Sequence, residues 1–341
     1  MKILVYDDNP DFGGHQVMAC RGIAALAAEP ALEIECMLNP ANHRLAAQLR
    51  GADIPVCPAQ ARMPAPPPDL VLCIQGDIAQ STAGIRAARK AGIECVSYLA
   101  LPHRRATMGA KLGALRDGLN KKWVNAPDRF ITLSESMKRI LLDRGCTQPI
   151  AIVPNGIPAP PSPKHQVSSI QTIGLVGRIE FNQKQQDFMA RTFLANPAFN
   201  DCRLLFVGSG PDEARLRALI AGEDRIALWP WQDDMEAVYN RIDLLAIPSR
   251  YEGVPLVMLE ALARSIPVIG SNRDGMQDIL PPEWTFAPEN ATSLASAFSA
   301  ARTAPADQLD ALRQTVLQKH ALQRFNENFV TAVTAPGAPT S

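Results

Sequence analysis

The chain has 341 residues, 47% of them apolar and 20% charged, a make-up that suits a folded chain of about two domains. Lys plus Arg and Asp plus Glu number 34 each, so overall charge argues against nucleic acid as a partner. The seven cysteines are odd in number and lack any C-x-x-C spacing, which reads as buried, reduced thiols and argues against a disulfide framework or a zinc site.

The first apolar run ends at Asp7 and Asp8 and is too short for the core of a secretion signal, so it is expected to be a strand. No apolar run approaches the roughly 18–20 residues of a membrane span, and the expected location is cytoplasmic, with peripheral membrane contact at most. Residues 3–6, 33–38, 70–74, 94–99 and 129–133 are short apolar runs that predict buried strands. Amphipathic stretches at 16–28, 78–91 and 135–144 lie between them. Residues 154–169 hold five prolines and a glycine, which neither sheet nor helix accommodates, so this is a linker. Strands then resume at 172–176, 203–207, 225–228, 244–247 and 267–270, with helical patterns at 185–194, 212–221, 233–240 and 256–263. Alternation of this kind predicts α/β architecture, two doubly wound Rossmann-like domains facing across a cleft. The expected bounds are 1–160, 161–304 and a helical tail over 305–341 that packs back on the N-terminal domain, its last residues frayed.

Ligands of such sheets bind at strand-to-helix loops, and three loops carry usable chemistry. Gly13-Gly14 follows the first strand and either brings backbone N–H groups to a phosphate or forms an ordinary tight turn. Gly177-Arg178 ends a strand and Lys184 opens a helix, so both cations can meet a diphosphate leaving group. The stretch from Glu252 through Gly253, Val254, Pro255 and Leu256 to Glu260 follows another strand. Its free N–H groups suit phosphate oxygens, and Glu260, expected two turns inside an otherwise apolar helix, suits the vicinal hydroxyls of a ribose.

Arg178 with Lys184, followed by two glutamates eight apart, resembles the retaining glycosyltransferases of family 4, which have the GT-B fold. Phe206-Val-Gly-Ser-Gly-Pro-Asp, Ile152-Val-Pro-Asn-Gly-Ile and Ser271-Asn-Arg-Asp-Gly-Met-Gln-Asp resemble further segments of that family. The resemblance implies that Arg178 and Lys184 bind the donor diphosphate, Glu260 the ribose, and Glu252 the transferred sugar. It implies that the backbone near Trp229 and Trp231 meets the base and that Gly13 and Gly14 approach the phosphates. His103 is the candidate site histidine, with His15 second; His43, His165 and His320 read as exposed. Lys184 is followed by Gln185, where the family usually has glycine.

Residues 104–122 carry six cations against Asp117 alone, with Leu112, Leu115, Leu119 and Trp123 at near-helical spacing. Such a segment either covers an apolar core or meets an anionic membrane surface or phosphorylated lipid. The function this implies is retaining transfer of a hexosyl group from a nucleotide-diphosphate sugar to a saccharide or lipid-linked hydroxyl, in polysaccharide, lipopolysaccharide or glycolipid synthesis. No cofactor and no metal are expected. A nucleotide-sugar epimerase on the same fold and a non-catalytic nucleotide-sugar-binding subunit remain the alternatives.

Overall fold

A computed structural model describes residues 1–160 and 170–335. His165, most of the proline-rich linker and the last six residues lie outside the described residues. The chain divides into two compact units. One comprises Met1–Gly156 with the segment from Leu322 onward; the other is Ile157–Ala321.

The first unit runs β1 (Lys2–Asp7), α1 (Gly14–Ala27), β2 (Glu33–Leu38), α2 (His43–Gly51), β3 (Val56–Pro58), β4 (Leu70–Asp77), α3 (Thr82–Ala91), β5 (Glu94–Leu101), α4 (Gly113–Asn120), β6 (Arg129–Thr132), α5 (Glu135–Asp143) and β7 (Ile150–Ile152). The second runs β8 (Thr172–Val176), α6 (Phe181–Lys184), α7 (Gln186–Ala195), β9 (Arg203–Val207), α8 (Glu213–Leu219), β10 (Ile226–Trp229), α9 (Met235–Arg241), β11 (Leu244–Ile247), α10 (Leu256–Ala263), β12 (Val268–Ser271), α11 (Asp274–Gln277), β13 (Thr285–Phe286), α12 (Ala291–Arg302) and α13 (Ala306–Lys319). The last helix, α14 (Leu322–Thr334), returns to the first unit.

The strand order is β3-β2-β1-β4-β5-β6-β7 in one sheet and β10-β9-β8-β11-β12-β13 in the other. All pairings are parallel, from β1 on β4 (Val5 against Leu72) to β8 on β9 (Gly174 against Leu205). Both faces of such a sheet are covered, which is why strands such as Leu70–Ile74 are apolar and buried without alternation. The strand order reverses between β1 and β4 in the first sheet and between β8 and β11 in the second, and loops leaving the carboxyl ends at these points diverge to leave a crevice.

All seven cysteines are free; Cys36, Cys73, Cys95, Cys146 and Cys202 are buried, Cys20 and Cys57 half-buried. The 305–341 segment is not one tail. Helix α13 packs on α10 in the second unit, whereas α14 lies on α1 in the first. There Phe325, Phe329 and Val333 are buried, and the Phe329 ring fills the space that a Cβ at Gly22 would take, 2.5 Å away. Arg129 of β6 donates from Nη2 to the Val333 carbonyl at 2.7 Å and from Nη1 to that of Ala332, closing the C-terminal end of α14. His320, expected to be exposed, is buried, and its carbonyl accepts from the N–H of Ile157.

Candidate functional site

In the second unit two loops flank the reversal point: the one from β8 to α6 and the one from β11 to α10. The first is shaped by glycine. Gly177 and Gly208 have φ of 146° and 144°, and a Cβ at Gly208 would lie 2.0 Å from the Gly177 carbonyl oxygen. Only glycine allows backbones to approach so closely, and the contact fixes where Arg178 leaves the sheet. Asp212 then accepts from the N–H of Phe181 at 2.8 Å and from Arg215. These contacts hold its carboxyl below the usual range and anchor the start of α6.

Lys184 does not open a helix; it closes the single turn of α6. Gln185 follows in the left-handed region with φ of 58°, and α7 starts at Gln186. A glycine meets that conformation without strain, which gives a physical reason for the family preference at this position. The left-handed residue turns the chain so that Lys184 Nζ lies beside Gly177, 3.9 Å from where a Cβ would stand. There it pairs with Glu252 Oε1, which also accepts from Ser249 Oγ at 2.7 Å. Two residues 68 positions apart are thus joined at the switch point, Glu252 6% exposed.

The β11–α10 loop is held from the next crossover. Asp274 Oδ2 accepts from the N–H of Glu252 at 2.9 Å, and the N–H of Gly275 donates to the Gly253 carbonyl at 3.0 Å. A Cβ on Gly275 would stand 2.3 Å from that oxygen. Asp274 itself has φ of 54°, a costly conformation for a residue with a side chain, sustained by the contacts around it. Val254 and Pro255 are buried, and α10 begins at Leu256 with no capping side chain at Pro255. The first-turn N–H groups of this eight-residue helix therefore carry the partial positive charge of its N-terminus uncompensated by a cap.

Glu260 sits just over one turn into α10, not two, and is half-buried among apolar neighbours. The Tyr239 hydroxyl donates to its Oε2 at 2.6 Å. Burial, and after it the Glu260 carboxylate, keep the Tyr239 phenol protonated well above its ordinary range, so it remains a donor. Arg178 is more than half exposed, 3.6 Å from Glu180, with its carbonyl held by Gln186 Nε2 at 2.8 Å. The Trp229 carbonyl accepts from Gly208 at 3.0 Å, which sets residues 229–231 beside the glycine loop. Trp231 is 46% exposed, its indole N–H on Asp233 at 3.2 Å.

The structure therefore brings Gly177, Lys184, Glu252 and the start of α10 together, with Arg178 adjoining. Ser249, Asp274 and Tyr239 support them. Ser249 and Asp274 lie in motifs visible in the sequence; nothing local marks Tyr239. Beneath the loops a hollow of about 10 Å³, lined by Val176, Lys184, Ser249 and Pro255, has room for about one water, so a larger ligand would lie on the loops and not below them. A groove of about 190 Å³ opens elsewhere, over β8–β10 at Thr172, Arg203, Arg225, Trp229 and Arg241.

The first unit places carboxylates at its switch point. β1 and β4 end in Asp7 and Asp77, and Asp8 follows. Asp8 Oδ1 accepts from the N–H of Ser81 at 2.7 Å, and Asp77 is paired with Arg105 at 2.8 Å. Burial lifts Asp7 to about 7 against the opposing N–H of Asn9. Gly13 and Gly14 open α1 here without a side-chain cap. His15 follows them, but its ring nitrogens are buried and its ring packs 4.8 Å from Tyr98; burial lowers its pKa to about 4. His103 is buried just past the end of β5, and its carbonyl accepts from Arg144 Nη1. His43 is exposed on α2.

Two parallel-sheet α/β domains of this topology are those of GT-B glycosyltransferase structures. The match covers 98% of this chain and 99% of the lipopolysaccharide outer core galactosyltransferase WaaB in its apo form, at 18% identity and a TM-score of 0.74. Anabaena HepE in complex with UDP-glucose matches over 98% of this chain and 100% of that one, at 16% identity and a TM-score of 0.78. Residues 170–302 match the family described as glycosyl transferases group 1. An uncharacterized glycosyltransferase of Haemophilus influenzae is 29% identical over 44% of this chain and 43% of its own length. The lipopolysaccharide 1,6-galactosyltransferase of Escherichia coli K12 is 24% identical over 63% of this chain and 60% of its own. The chain thus spans about half the length of these two curated relatives.

Proposed function

We propose that the chain transfers a hexosyl group from a nucleotide-diphosphate sugar to a hydroxyl of a saccharide or lipid-linked acceptor, with retention at the anomeric carbon, in lipopolysaccharide, polysaccharide or glycolipid synthesis. The observation that carries this is the Lys184–Glu252 pair beside Gly177, with Arg178 adjoining, at the switch point of the second unit. The family match over residues 170–302 and the galactosyltransferases among the relatives support it.

In this reading Arg178, Lys184 and the N–H groups of Gly253 and Leu256 take the departing diphosphate, whose charge grows as the glycosidic bond breaks. Glu252 is already satisfied by Lys184 and Ser249. Both contacts fall on Oε1, so Oε2 is the oxygen offered to the sugar. Glu260 holds the ribose hydroxyls with Tyr239 fixing its orientation, and the backbone at Trp229–Trp231 meets the base. The acceptor hydroxyl attacks on the face the diphosphate leaves, and the leaving phosphate takes its proton, so no side chain need act as base and no metal or cofactor is invoked. For the first unit we propose acceptor binding, with His103 as the residue to test there; Gly13 and Gly14 are proposed to approach phosphates, as the resemblance implies.

NMR of UDP-sugars incubated with hydroxyl acceptors checks this. The expected product keeps the donor's anomeric configuration, and Lys184→Ala lowers its formation by about 10²–10³-fold. An inverted product refutes retention. Sugar epimerised without an acceptor, and no transfer, refutes the transferase reading.

A further inference from the structure

Helix α4 is inside out by the usual rule. Its buried residues are Gly113 and Asp117, one turn apart, while Leu112 just before it and Leu115 and Leu119 within it are 73%, 62% and 67% exposed. An amphipathic helix on a protein core turns its leucines the other way. Two independent contacts fix this orientation. The Asp117 carboxylate accepts from the N–H of Arg105 at 2.8 Å and of Ala106 at 3.1 Å, and faces Arg144 at 3.6 Å. Gly113 lies so close to that loop that a Cβ would come 2.5 Å from the Ala106 Cα. Turning the leucines inward would bury side chains where not even a methyl fits and strip Asp117 of its partners.

Of six exposed large apolar side chains among the described residues, three stand on this one face. Within residues 104–122 every exposed charge is positive: Arg104, Lys111, Arg116, Lys121 and Lys122. The only acid in the segment is Asp117, and it is buried. A second copy of the chain docked across a two-fold axis would set these cations against themselves. Among the described residues no helix is long and apolar enough to cross a membrane, so contact with a bilayer through helices would be from its surface.

We propose that residues 104–122 form a docking surface for an anionic lipid bilayer. The three leucines enter the boundary between headgroups and acyl chains, and the five cations meet lipid phosphates at the rim. The site is separate from the switch-point loops of the second unit and needs neither donor nor acceptor.

Co-sedimentation of the full chain with phosphatidylglycerol–phosphatidylcholine vesicles tests this, with pure phosphatidylcholine vesicles beside them. The wild type is expected to bind the anionic vesicles and not the neutral ones. Leu115→Ser with Leu119→Ser, and separately Lys121→Ala with Lys122→Ala, should each weaken binding about tenfold or more. All four side chains are exposed, so unfolding temperatures should stay at the wild-type value and show that lost binding is not lost folding. The proposal falls if the wild type does not bind anionic vesicles, or if the leucine variant binds as well as wild type. It also falls if the wild type is a dimer in analytical ultracentrifugation that the leucine variant splits, which would make the face an interface between copies.

Discussion

Asp7 shows how one residue can set a pH dependence. Its carboxyl is 1% exposed, and burial raises its pKa from 3.8 to about 7. A raised carboxyl favours the folded state below its unfolded pKa, and that contribution is lost as pH climbs through the folded one. Asp7→Asn keeps an oxygen for the Asn9 N–H and removes the titration. The variant should match wild type below about pH 4 and become more stable as pH rises to about 7, by at most about 4 kcal/mol. Urea midpoints of both proteins across that range measure it; parallel curves would contradict it. His15 acts in the opposite sense, because burial lowers its pKa to about 4 and its contribution is lost as pH falls. The wild-type profile alone would therefore blur the effect, and the difference between the two proteins isolates it. None of this is legible in the sequence, where Asp7 is only the acid that ends a strand. Lys184 and Glu252 were legible as candidates because each sits in a motif. Their pairing was not, because it depends on the left-handed Gln185 and on Asp274 holding a loop from the next crossover.

At the scale of elements, long apolar runs were readable and short edges were not. β8, β9 and β11 fall where the apolar runs place them. β3, β7 and β13 have three, three and two residues, too few for any period to show, and Pro58 in β3 suits only an edge. Helix α4 stayed open for a different reason: spacing reveals a leucine face but not which way it points, and Gly113 and Asp117 decide that. In α14 the stripe of Phe325, Phe329 and Val333 is equally plain, but its partner α1 lies at the other end of the chain. Phe329→Ala should destabilise the protein by about 3–5 kcal/mol, because Gly22 leaves a ring-shaped space that nothing else fills. Chemical denaturation followed by far-UV circular dichroism reads this, and an unchanged midpoint would show that α14 contributes little to the first unit.

At the scale of the whole molecule, the two units share an architecture and differ in charge where it counts. The first ends its switch-point strands in Asp7 and Asp77; the second places Arg178 and Lys184 beside its own, with an uncapped helix start next to them. Arg178, Lys184 and that helix start favour a diphosphate at the second, and the proposed donor site therefore lies in the unit that carries the family match. Calorimetric titration of nucleoside diphosphates, UDP first, into the wild type and Lys184→Ala tests that assignment most directly. The wild type should bind a diphosphate and the variant should bind it about 10–100-fold more weakly, the worth of one charge-assisted hydrogen bond to phosphate. Equal affinities, or no nucleoside diphosphate bound by the wild type, would contradict it.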